Sequence, residues 1–134
     1  MYEFLLFVHV LSAFFLLAMV VMYTSFVYGG PTPGRSVFVA QVLDGIGGAG
    51  TIIFGVWLAL YLDGYSIVDG WIIAAIILWA AAAETGRRAH AGLVGAKPSG
   101  SAVTMTREEI IRWHLIRTGL IVVLLADMIW KPGA

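Results

Sequence analysis

Four stretches of the chain, Tyr2–Tyr28, Val37–Leu62, Gly70–Ala91 and Glu109–Trp130, run long and apolar with few charges. A run of about 18 such residues reads as a membrane-crossing helix, because the hydrocarbon core is ~30 Å thick and a helix rises 1.5 Å per residue. The rest of the composition agrees. Of 134 residues, 60% are hydrophobic and 12% charged, about half the charge a soluble domain carries to keep its surface hydrated. The expected fold is all-α and membrane-embedded, one domain over residues 1–134. The first stretch does not read as a signal peptide: it opens Met1-Tyr2-Glu3 without a basic region, and its apolar run is too long.

The connections set the expected topology. The cluster "GGPTPG" (Gly29–Gly34) breaks the first helix, and "DGYSIVD" (Asp63–Asp69) makes a short turn. A longer loop, about residues 92–105, ends in Thr106-Arg107-Glu108-Glu109, a capping box that starts the fourth helix. Short loops favour antiparallel neighbours, hence an up-down four-helix bundle. Arg35 lies in the first loop, and Arg87, Arg88, Lys97 and Arg107 lie in or beside the third; the second loop has neither Lys nor Arg. Basic residues mark the cytoplasmic side, so both termini are expected outside. Tyr2, Tyr61, Tyr65, Trp71 and Trp130 then form an outer aromatic belt.

In the second helix Gly47, Thr51, Gly55 and Ala59 recur every four residues. Such a small-residue face lets helix backbones approach closely in lipid; it suits a bundle seam or, as the alternative, room for a flat ligand.

Ionisable groups at membrane depth are costly and mark candidate sites. An inner cluster comprises Asp44, Glu84, Arg112, His114 and Arg117, with ion pairs of Asp44 or Glu84 to Arg117 or Arg112 expected. Helix pairing is one reading of this cluster; a site for an anionic headgroup or propionate is the other, since arginine presents a forked set of donors. In the outer half, His9 lies about two turns into the first helix and Asp127 about one turn from the end of the fourth. The two could meet, Asp127 orienting the His9 imidazole. On helical spacing His9 shares a face with Leu5, Ser12, Ala13 and Leu16.

Depth also limits haem ligation. His9 and His114 fall in opposite leaflets, roughly 10–15 Å apart along the membrane normal, whereas two axial nitrogens on one iron are about 4 Å apart. His90 with His114 is allowed by depth, as is haem on His9 alone. Net charge is zero and cysteine is absent, so neither nucleic-acid binding nor thiolate chemistry is expected. No nucleotide-binding, zinc-protease or serine-hydrolase motif occurs. A transport reading needs a path between the clusters, and Leu16, Ile53, Ile76 and Leu120 are expected to keep that gap dry.

"FVHVLSA" in the first helix resembles the opening of a group of small bacterial helical membrane proteins. The group includes the copper-resistance D type, the HemJ-type protoporphyrinogen oxidase and a family of integral membrane proteins of unassigned function. "GGAGTIIFGVWLAL", "DGWIIAAIILWA" and "RWHLIRTGLIVVLLADMIWKPG" are most similar to the unassigned family, over nearly the whole chain. The HemJ-type resemblance implies haem b on His9. Those oxidases also carry a third-helix lysine, whereas no span here contains lysine, Glu84 and Arg87 being the nearest polar residues of that helix. The resemblance implies a bacterial inner-membrane location. The expected function is a non-enzymatic accessory or structural subunit of a larger, for instance respiratory, membrane assembly, or one of its own oligomers. No cofactor is expected in that role; haem b on His9 is the alternative.

Overall fold

The computed structural model describes residues 1–29 and 34–131. It contains four helices: α1 (Tyr2–Gly29), α2 (Gly34–Tyr61), α3 (Gly70–Val94) and α4 (Arg107–Trp130). Most of the breaker cluster between α1 and α2, residues 30–33, lies outside the described residues.

The local chemistry explains the remaining ends. At the α2–α3 turn the Ser66 amide donates to Asp69 Oδ2 at 2.9 Å, so Asp69 closes the turn rather than capping α3 with its side chain. Gly95 ends α3 in the left-handed region at φ 78°, where the missing Cβ removes the usual penalty. The loop folds back on itself through an antiparallel bridge between Ala96 and Ala102. Thr106 then starts α4: its Oγ1 accepts from the Glu109 amide at 3.2 Å, and Glu109 Oε2 accepts from the Thr106 amide at 2.9 Å. This is the capping box expected from the sequence.

Three helices, α1, α2 and α4, are long and apolar enough to cross a membrane. Four are expected from the sequence. The third stretch makes a 25-residue helix, but Glu84, Arg87 and Arg88 occupy its last turns and alanines dilute its hydropathy.

α1 and α2 run antiparallel in close contact, as do α3 and α4; α1–α4 and α2–α3 touch over shorter lengths. Leu16, Met19 and Tyr23 of α1, Ala40 of α2, Ala82 of α3 and Ile121 of α4 form the main buried cluster. A smaller one, Ala59 with Trp71 and Ile72, holds α2 to α3 beside their turn. Leu16 and Leu120 belong to the main cluster or pack on it, and Ile76 packs on the smaller one. Ile53, expected to fill the interior, is 57% exposed: it points off the outer face of α2.

The small-residue face of α2 divides its work. A Cβ on Gly47 would lie 2.9 Å from the Leu16 amide nitrogen and 3.0 Å from the Ser12 carbonyl oxygen, so α1 crosses α2 with backbones nearly touching. Gly55 does the same for a side chain, placing its Cα against the His9 ring. Thr51 is buried between them, and Ala59 turns to Trp71 and Ile72 of α3.

Candidate functional site

Two polar regions occupy opposite ends of the helices. One, at the α2–α3 turn, contains His9. The other, beside the α3–α4 loop, contains Arg117.

The imidazole of His9 donates from Nδ1 to the Thr51 carbonyl at 3.1 Å. That bond fixes the tautomer and leaves the Nε2 lone pair unused. The ring borders an apolar cavity of about 390 Å³, also lined by Leu6, Phe14, Gly55, Trp71 and Met128, with Lys131 at its edge. Lys131 lies over the Tyr65 and Trp71 rings, 5.0 and 5.4 Å from their centroids. Leu5, Ser12 and Leu16, which share the His9 face, are buried. Asp127 is not the partner of His9. Its Oδ2 is removed from solvent and has no hydrogen-bond partner among the described residues, and the Nδ1 proton of His9 goes to the Thr51 carbonyl.

At the other end Arg117 is 1% exposed, the largest fully buried side chain among the described residues. It fits there because Gly86 of α3 has no side chain: a Cβ would stand 2.8 Å from Arg117 Cδ and 2.9 Å from Nη1. The guanidinium lies over the Tyr23 ring, 4.4 Å from its centroid. A desolvated cation over an aromatic face gains about 2 kcal/mol. Nη1 lies 3.9 Å from Asp44 Oδ2, within ion-pair range but beyond hydrogen-bonding distance.

The protons of this region can be followed atom by atom. Arg117 Nη2 has only protons to offer, so it donates to His114 Nδ1 at 3.1 Å. His114 therefore carries its proton on Nε2 and donates to Thr24 Oγ1 at 2.8 Å. The Thr24 hydroxyl passes its own proton to the Val20 carbonyl at 2.7 Å. Both nitrogens of His114 are thus engaged and neither is free to ligate a metal. Tyr23 stands between the two histidines, hydrogen-bonded to His90 Nδ1 and stacked on the His114 ring at 6.2 Å. A His90/His114 haem pair, which depth alone allowed, is blocked by this ring and these bonds. Among the described residues no group of three or more His, Asp or Glu could hold a metal ion.

The expected inner cluster is therefore only partly one site. Asp44, His114 and Arg117 come together. Glu84 pairs instead with Arg87 and Arg88 of its own helix, at 2.8 and 2.9 Å, on a half-exposed face. Their i,i+3 and i,i+4 spacing makes those partners nearer than any on another helix. Arg112 is exposed and takes no part. The structure adds Tyr23, Thr24 and His90, together with Gln41 and Trp79 on the walls. Trp79 Nε1 donates to the Gly48 carbonyl at 3.0 Å, tying α3 to α2. Tyr23 could have been found from sequence as a polar-tipped residue four and seven positions from the buried Met19 and Leu16.

Two nitrogens of this region, carrying three N–H groups, remain unused. Arg117 Nε and Nη1 are buried without a hydrogen-bond partner among the described residues, and Arg117 is one of the residues that line a cavity of about 280 Å³ between α2 and α3.

Comparison with protein-family models, curated proteins and solved structures finds no match.

Proposed function

We propose that the protein is a multi-pass membrane protein of the bacterial inner membrane, an up-down bundle of four spans with both termini outside. In this reading it is a non-enzymatic accessory subunit of a larger membrane assembly. Its polar side chains serve mainly to join its helices, and its apolar ones face outward. The carrying observation is on α1, where Phe4, Phe7, Leu11, Phe14, Val21 and Tyr28 are all exposed. Their spacing of threes, a four and two sevens forms an aromatic and aliphatic ridge on the face opposite the α2 seam. A ridge of that spacing fits the groove of another membrane helix. The rest of the exposed apolar surface, including Ile53, Val122 and Val123, faces lipid. Extraction in a mild detergent followed by native mass spectrometry should recover the chain with a larger partner. Recovery as a free monomer in several such detergents would contradict the reading.

A second reading is haem b binding on His9, favoured by the Nδ1–H bond to the Thr51 carbonyl. A ligating imidazole is commonly oriented by such a second bond, with the other nitrogen free for the metal. The donor set fits a single axial histidine beside an apolar cavity, with Lys131 at the rim for a propionate. Haem, when bound, would supply one-electron chemistry. The purified protein should then show a Soret band that His9→Ala abolishes without unfolding; a colourless, folded preparation from haem-replete cells would exclude it.

A further inference from the structure

The cavity beside Arg117 is a groove with an open side. Its floor is α1 and α4, where Leu16, Tyr23, Arg117 and Ile121 lie, and its walls are α2 and α3. α2 and α3 meet beside their shared turn and, further along, through the Trp79–Gly48 bond. Gln41, Gly45, Ala49, Ala83 and Arg87 line the groove and are exposed, so it opens sideways. At Gln41 and His90 it continues into a second cleft of about 390 Å³, whose other lining residues include the apolar Val37, Phe38, Leu93 and Val94.

A buried cation with two unpartnered nitrogens is costly, because each unmet buried donor forfeits about 1–3 kcal/mol, more when charged. Asp44 relieves this only in part. It is 3.9 Å away and its side chain is 38% exposed at the groove rim. A complementary ligand therefore places an oxyanion on Arg117 and a hydrogen-bond donor on Asp44, and lays an apolar tail along Leu16, Ile121 and Leu124. The remaining ionisable groups on the walls are already engaged: Arg87 by Glu84, and His90 by Tyr23.

We propose that the Arg117 groove binds a membrane amphiphile whose head combines a phosphate with a hydroxyl or ammonium group, taken laterally from the surrounding leaflet. This goes beyond the accessory role and depends on the membrane-spanning reading alone. Water is the competing occupant, since 280 Å³ holds roughly nine molecules at liquid density.

Gly45 supplies a variant that blocks the groove without disturbing it. A Cβ there meets nothing within 4 Å, so Gly45→Phe projects into the groove and leaves the Arg117 contacts in place. The test is thermal unfolding of the detergent-solubilised chain titrated with dihexanoyl phosphatidylglycerol. Dihexanoyl glycerol serves as the control without phosphate, and inorganic phosphate as the control without a tail. The proposal expects a saturable rise in Tm with the phospholipid alone. Apparent affinity should fall about tenfold or more in both Gly45→Phe and Arg117→Gln. Equal shifts with dihexanoyl glycerol would remove the role of Arg117, and equal shifts with phosphate would remove the tail. An unchanged response in folded Gly45→Phe, or no response at all, would overturn the site. Release of the chain from membranes by alkaline carbonate, measured separately, would instead overturn the membrane-spanning reading.

Discussion

His9 and Arg117 are both titratable groups turned into the same helical protein, yet their surroundings are built differently. His9 makes one side-chain hydrogen bond, to a backbone carbonyl, and otherwise borders apolar space. Arg117 is enclosed by a network that uses Thr24, Tyr23, His114 and Asp44, drawing on α1, α2 and α4, with α3 supplying Gly86 to make room. A histidine neutral on one nitrogen can be satisfied by a single carbonyl. A guanidinium with five N–H groups cannot, so it draws partners from α1, α2 and α4. The loop end is therefore where polar chemistry specifies the packing, while the turn end is specified by shape.

That contrast can be broken most severely at the seam serving both ends. Gly47→Leu must push α1 away from α2, because the obstructing atoms are backbone; a loss of about 3 kcal/mol is expected in reversible unfolding in detergent. His114→Leu comes next. It strips Arg117 of its hydrogen-bond acceptor and should cost about 2–3 kcal/mol. Adding Arg117→Met should recover part of that loss, since the orphaned charge goes with it; strict additivity in the double variant would show the two side chains to be uncoupled.

Smaller effects separate the ends further. Arg107 donates to the Val27 and Tyr28 carbonyls at 3.1 and 2.8 Å, capping the end of α1 from α4. Arg107→Ala should cost about 1 kcal/mol. His9→Ala should cost a similar ~1 kcal/mol, the scale of one hydrogen bond to a backbone carbonyl. A loss there as large as that of His114→Leu would mean that His9 holds more than its single bond accounts for. Gly45→Ala should stabilise slightly, by up to about 1 kcal/mol of helix propensity, the opposite sign to Gly47→Leu two residues away.

Helix number and the ends of all four helices were legible in the sequence to within about three residues, because hydropathy, the Thr106 capping box and the glycine breakers are local signals. Level along the helices was legible too: His9 and His114 lie beside different parts of the neighbouring helices, and Asp44 comes to Arg117. Rotation about the helix axis was not. Glu84 and Arg112 lie on outward faces, and Ile53 points off α2 rather than into the interior. Nor could spacing show that the His9 proton would go to a backbone carbonyl rather than to Asp127, or that Tyr23 would stand between His90 and His114. In a chain apolar on every face, periodicity carries little rotational information.

The most direct test of the accessory-subunit account is native mass spectrometry of the chain extracted from its own membranes in a mild detergent. The account predicts that the 14.5 kDa chain appears within a larger complex and that charged substitutions on the α1 ridge, such as Phe7→Lys with Phe14→Lys, release it. A chain that flies only as a folded monomer from several mild detergents would contradict it.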